Sequence, residues 1–137
     1  MNESLPDIGP VLAYEDAAGA IEWLMKALGF REHLIVPGDD DTITHAELRL
    51  GAGVVMLTSA RPYGPFPFRS PKASGTVTAS TYIRLDDIDA HYERARAAGV
   101  EVVRELAETS YGSREYSARD PEGHLWHFGD YRPGGEA

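Results

Sequence analysis

Two short signals recur at a fixed distance along this chain. An aspartate that can cap a helix and a glycine that can stop one stand at Asp16 and Gly29. They return at Asp86 and Gly99, seventy positions on in both cases. Between the first pair, Ile21, Leu24 and Leu28 fall at helical spacing; between the second, Ile88, Tyr92, Ala95 and Ala98 do the same. A short apolar run, residues 10–14, precedes the first helix. Three strand-like segments follow it, at 31–37, 43–50 and 53–59, with a turn at Gly38-Asp39-Asp40-Asp41. After the second signal the order repeats, with a strand at 81–85 before the helix and strands near 101–105, 115–119 and 124–129 after it. The chain therefore reads β-α-β-β-β twice.

At 137 residues with 42% apolar composition, the chain can bury one or two small cores. A single domain over 1–137 is expected, built of a module at 8–59, a linker at 60–78 and a module at 79–131. The linker holds many prolines and glycines, and no regular structure is expected in it. Its aromatics, Tyr63, Phe66 and Phe68, suit a segment that covers something. Surface packing, a subunit contact and a ligand lid all remain open.

With zero cysteines there is no disulfide, no thiolate nucleophile and no cysteine-type zinc site, so any metal would rest on His, Asp and Glu. A formal charge of −9 disfavours nucleic acid and anionic membranes as partners. No window approaches the roughly 20 apolar residues of a membrane span, and the N-terminus lacks a secretory signal's basic start and apolar run. A cytoplasmic protein is the expectation.

Several segments together resemble the vicinal oxygen chelate superfamily of glyoxalase I, extradiol dioxygenases, and fosfomycin- and bleomycin-resistance proteins. They are Tyr14-Glu-Asp16 leading into Ala20-Ile-Glu-Trp-Leu-Met-Lys-Ala-Leu-Gly-Phe30, His45-Ala-Glu-Leu-Arg-Leu50, Leu85-Asp-Asp-Ile-Asp89 and Asp120-Pro-Glu-Gly-His-Leu-Trp-His127. The resemblance spans nearly the whole chain. It implies an α+β fold of two tandem βαβββ modules, with concave mixed sheets lining a cavity and helices on the outer face. The family's metal positions fall on Gly9 (Pro10 if the register slips by one), Met56, Ser80 and His127. Glycine offers no donor, thioether is soft and hydroxyl is neutral, so only His127 suits a divalent ion, and one imidazole does not hold it tightly. No metal or other cofactor is expected, which places the chain nearest the metal-free bleomycin-resistance-like branch.

Strand alternation then supplies a cavity face independently of any metal. If Met56 and His127 point inward, so do Val54, Thr58, Leu125 and Gly129, while Val55, Leu57, Trp126 and Phe128 point to the core. Ala46, Leu48 and Leu50 belong with the helices, which turns His45, Glu47 and Arg49 inward. Tyr82 and Arg84 face in from the strand at 81–85; Glu115, Ser117 and Arg119 do so from 115–119, with Tyr116 and Ala118 in the core. The expected ligand-binding set is His45, Glu47, Arg49, Met56, Ser80, Tyr82, Arg84, Glu115, Ser117, Arg119 and His127.

Each has a plainer reading beside it. Glu47 can pair with Arg49, Arg84 or Arg119 as a cavity wall, or join His45 and His127 as three donors of a rebuilt metal site. His127 can be a neutral hydrogen-bonded residue or a general base. His124 suits the start of a strand, His33 and His91 the surface, and Trp126 the core.

The first functional reading is metal-independent binding of an antibiotic or metabolite, cationic or aromatic, gripped by residues such as Tyr63, Phe66, Phe68, Tyr82 and Tyr111. An alternative is a lyase, isomerase or dioxygenase that uses the rebuilt site, or Glu47 and His127 as acid and base. No Gly-x-Ser-x-Gly, His-Glu-x-x-His or phosphate loop supports that alternative. A structural or regulatory protein with a vestigial cavity is the third. The resemblance also implies a homodimer.

Overall fold

The computed structural model describes residues 5–135; residues 1–4, on which the expected absence of a leader partly rests, and residues 136–137 lie outside them. Strand β1 (Val11–Tyr14) leads into helix α1 (Ala17–Leu28), followed by β2 (Arg31–Pro37), β3 (Ile43–Leu50) and β4 (Gly53–Ser59). The second module runs β7 (Thr81–Arg84), α3 (Ile88–Ala97), β8 (Glu101–Glu108), β9 (Arg114–Arg119) and β10 (Leu125–Gly129). Each module makes a four-stranded sheet of the same topology, β1-β4-β3-β2 and β7-β10-β9-β8. In each, the first strand pairs parallel with the last and the other pairings are antiparallel.

Local chemistry explains the helix ends. Asp16 Oδ1 accepts from Gly19 N–H at 3.0 Å and Asp87 Oδ1 from Ala90 N–H at 3.1 Å, so Asp87 is the cap of the Asp86-Asp87 pair. Gly29 turns left-handed at φ 78° and lets Phe30 N–H reach back to Leu24 O, which closes α1. The apolar stripes of both helices are buried except for Ala98, which is the exposed C-cap of α3.

The linker departs from expectation. It holds a hairpin, β5 (Arg61–Tyr63) and β6 (Phe66–Phe68), and a short helix α2 (Pro71–Ser74). Pro62 stands opposite Pro67, so both rings occupy one pair of the ladder and take no donor from the pairs on either side. Gly64 supplies the positive φ, 56°, that a two-residue hairpin turn needs ahead of Pro65. Ser70 caps α2 and Pro71 fills its first position, a favourable place for proline. Tyr63 and Phe66 are exposed, and Arg61 lies over the Tyr63 ring at 5.1 Å.

One continuous hydrophobic cluster joins the modules. Phe30 meets Trp126 edge-on, 5.3 Å between ring centroids. At the β9–β10 turn the buried Asp120 carboxylate accepts from Tyr14 Oη–H at 2.6 Å, Trp126 Nε1–H at 3.0 Å, and the backbone N–H groups of Glu122 and His124. Burial and the adjacent Asp120 carboxylate push the Tyr14 phenol well above its ordinary range, so it stays a donor. The neighbouring Glu122 carboxylate accepts from the N–H groups of Glu15 and Asp16, at 2.6 and 2.9 Å. His124 reaches Ala13 O at 2.8 Å.

His91, expected at the surface, is buried: three positions beyond Ile88 and four before Ala95, it shares their face of α3. Its ring lies 2.7 Å from Leu28 O through Nε2 and 2.7 Å from the Tyr116 hydroxyl through Nδ1. The neutral ring satisfies both, donating to the carbonyl and accepting from the hydroxyl. Burial pulls His91 below the usual histidine range. A depressed imidazole favours the folded state above the unfolded value, near 6.5, and that contribution is lost as pH falls toward the folded value. Urea unfolding should therefore show stability falling as pH drops below about 6.5, with a shallower dependence in His91→Gln. An unchanged slope in the variant would exclude His91 as a source.

Candidate functional site

The residues that alternation assigned to the core are buried there. Ala46, Leu48, Val55, Leu57, Tyr116, Ala118, Trp126 and Phe128 are all buried. Glu47 stands opposite Met56, Arg49 opposite Val54, and His127 opposite both Ser117 and Tyr82. The inward residues nevertheless separate into two groups. The cavities containing Glu47 and His127 share no residue.

The first-module cavity, about 240 Å³, lies over β3 and β4 and is walled by His33, Glu47, Arg49, Val54 and Met56, with Leu5, Pro6, Asp7, Ile8 and Gly9 along one side. Here Glu47 is 2.8 Å from His45 and 3.8 Å from His33. None of the expected arginine partners reaches it: Arg84 pairs with Asp86, and Arg119 with Glu101. Arg84 and Arg119 line neither of these two cavities.

The second-module cavity, about 520 Å³, is lined by Tyr82, Arg104, Tyr111, Glu115, His127, Tyr131 and Pro133. Glu115 lies at its base, 5% exposed, its Oε1 accepting from Tyr111 Oη–H at 2.8 Å and Arg104 at 3.1 Å. Oε2 makes no hydrogen bond among the described residues. Gly129 is what leaves this room, because a Cβ there would come within 2.6 Å of Glu115 Cγ and 2.7 Å of Tyr82 Oη. Tyr82 donates to Tyr131 O at 2.6 Å, which draws the segment after β10 across the sheet. Tyr131 then meets Tyr111 edge-on, with centroids 5.8 Å apart.

His127 sits at the rim between two hydroxyls, Ser117 Oγ at 2.7 Å from Nδ1 and Ser80 Oγ at 3.1 Å from Nε2. Desolvation first, then the Arg104 guanidinium, lowers its titration, with Glu115 opposing. The ring is neutral at pH 7. Of this cavity's lining, sequence reasoning missed Arg104, Tyr131 and Pro133. Register shifts in β8 bring Arg104, rather than Val103, opposite Ser117, and Tyr131 and Pro133 follow the last strand, where alternation gives no guidance.

The four family metal positions fall into two separate pairs. A Cβ on Gly9 would touch Met56 Cε at 3.2 Å, and Ser80 contacts His127. Neither pair offers a donor set suited to a divalent ion. The rebuilt trio does not assemble within one chain either, since His45 and Glu47 pair in one module while His127 lines the other module's cavity. Among the described residues no group of three or more His, Cys, Asp or Glu is placed to hold an ion. Among the described residues, neither the family positions nor the rebuilt trio fits a divalent ion.

Two sheets of matching topology, β1-β4-β3-β2 and β7-β10-β9-β8, each with its helix and each carrying polar residues on its inner face, define the paired βαβββ fold of the vicinal oxygen chelate superfamily. The model of the Glyoxalase/Bleomycin resistance protein/Dioxygenase superfamily matches residues 8–128, and the chain belongs to that superfamily. An uncharacterized protein of Mycobacterium bovis is 34% identical over 125 residues, which cover 90% of this chain and 82% of that protein. The crystal structure of TioX from a Micromonospora species is 33% identical, with a TM-score of 0.72 over 93% of this chain and 99% of TioX. A glyoxalase/bleomycin resistance protein/dioxygenase from Alicyclobacillus acidocaldarius shares the fold at 15% identity, with a TM-score of 0.68 over 94% of this chain and 93% of its own. No helix among the described residues is long and apolar enough to cross a membrane.

Proposed function

We propose that this chain is a metal-independent small-molecule binding protein whose second-module cavity takes a cationic, aromatic-sized ligand such as an antibiotic or metabolite. One observation carries the reading: a carboxylate with a free oxygen, Glu115, stands at the base of a cavity walled by Tyr82, Tyr111 and Tyr131. Tyrosine faces and a carboxylate together favour a cation stripped of part of its water. Arg104, more than half exposed, is the ion partner a bound cation would displace. The neutral His127 adds no opposing charge.

The protein acts as a homodimer on this reading. Edge strands β2 and β8 present Leu34, Val36 and Val103 to solvent, and Val11 on the edge strand β1 and Ile8 ahead of it are exposed, which suits apolar surface covered by a second copy.

Benzyltrimethylammonium titrated calorimetrically is the direct test. Glu115→Gln should weaken it about tenfold or more, because the ligand loses its counter-ion in a partly desolvated site. His127→Ala should weaken it less. Affinity should also fall as pH drops below the ordinary histidine range near 6.5 into the lowered titration of His127, where the ring gains a positive charge facing the ligand. Unchanged affinity in Glu115→Gln sinks the proposal.

A further inference from the structure

The first-module cavity carries the opposite unmet charge. Arg49 forms no ion pair and no hydrogen bond among the described residues, although its Nε is buried from solvent. Acidic residues outnumber basic ones by nine in this chain, so a half-buried guanidinium left without a carboxylate stands out. The carboxylates closest by position do not serve it: Glu47 is engaged with His45 and lies near His33, and Asp7 lines the cavity without pairing to Arg49.

A second observation points the same way. In the β2–β3 ladder Arg49 stands directly opposite Arg31, which puts both side chains on one face of the sheet. Like charges in that relation repel, and Arg31 too has no acidic partner among the described residues. On the other side Arg49 faces Val54, which can neither accept a hydrogen bond nor offset charge. Met56, Leu5, Pro6 and Ile8 add further apolar wall.

We propose that the first-module cavity is an oxyanion site, in which Arg49, with Arg31 opposite it on β2, holds the carboxylate or phosphate of a small organic molecule. Guanidinium presents paired N–H donors in the geometry such groups accept, and the anion would satisfy the buried Nε while relieving the repulsion between the two arginines. With about 240 Å³ available, the ligand is small, about the size of an aromatic acid. The proposal goes beyond the cation-binding reading and uses none of its residues.

The experiment follows the arginine Nε–Hε resonances of the full-length protein while benzoate, phenyl phosphate and, in a separate arm, inorganic phosphate are added. Saturable movement of a resonance that disappears in Arg49→Gln is expected. Benzoate or phenyl phosphate affinity should fall about tenfold or more in Arg49→Gln, less in Arg31→Gln, and not at all in Glu115→Gln. Arg49→Gln should keep or slightly raise the melting temperature of the unliganded protein, since it removes a like-charge pair, and this separates a lost site from a lost fold. Response to inorganic phosphate alone would identify the bare oxyanion as sufficient. Response to the aromatic anions alone would assign part of the affinity to the apolar wall. Equal anion affinity in wild type and Arg49→Gln, or no saturable shift with any of the three, overturns the proposal. Benzyltrimethylammonium run beside them isolates the other reading, because its binding should respond to Glu115→Gln and not to Arg49→Gln.

Discussion

Asp120→Ala is expected to lower stability by roughly 3–5 kcal/mol, the combined cost of several buried donors left without an acceptor, after partial relaxation. Its carboxylate is 3% exposed and accepts four hydrogen bonds, from Tyr14, Trp126 and the backbone at Glu122 and His124. Truncation leaves two buried side-chain donors and two turn N–H groups facing an apolar methyl, and each unmet donor costs about 1–3 kcal/mol before relaxation and water entry. Asp120→Asn is the informative companion. An amide preserves shape and one acceptor oxygen but sets an NH₂ group against donors, so most of the loss should persist. Denaturant unfolding at pH 7 measures both, and a change below 1 kcal/mol in Asp120→Ala would show that the network is locally redundant.

Trp126→Ala is the second large effect, about 3–5 kcal/mol from the cavity it opens. Trp126 is fully buried on the core side of β10, edge-on to Phe30 and parallel to Phe128 with centroids 6.4 Å apart. Because its Nε1–H also feeds Asp120, the double variant should cost clearly less than the two single losses added. Cation binding should survive in whatever fraction remains folded, since Trp126 and His127 point to opposite faces of the strand. A binding defect larger than the folding defect would mean that the sheet's register is misassigned.

Much of this architecture was legible in the residues. Helix stops at Gly29 and Gly99, caps at Asp16 and within Asp86-Asp87, and the alternation in Ile43–Leu50 and Leu125–Gly129 are local signals, and local geometry obeys them. The errors arose where a residue's fate depends on what lies across from it. Pro62 and Pro67 argue against strands singly, yet opposite each other they fit a hairpin. His91 is polar in sequence and buried in fact, because Leu28 O and Tyr116 supply partners no local pattern announces. Alternation placed Glu47 and His127 on inner faces, but it carries no information on how one sheet is oriented to the other, and the two side chains end in different cavities. Arg104 escaped for a related reason, since register shifts in β8 break the period.

Helix α1 has one further meaning. Glu15 and Asp16, just ahead of its first turn, offer their N–H groups to Glu122, and near its far end the carbonyls of Met25, Lys26 and Leu28 meet Arg94 and His91. The approach to a helix in one repeat and that helix's last carbonyls are thus held by side chains of the other. A half-chain cut in the linker would leave those backbone groups open to water and the Phe30 contact bare, so neither duplicate should be stable alone, though the two should reassociate when mixed. Duplication here has produced interdependence: the repeats should melt in a single transition, and a lesion in either should be felt as a loss in both.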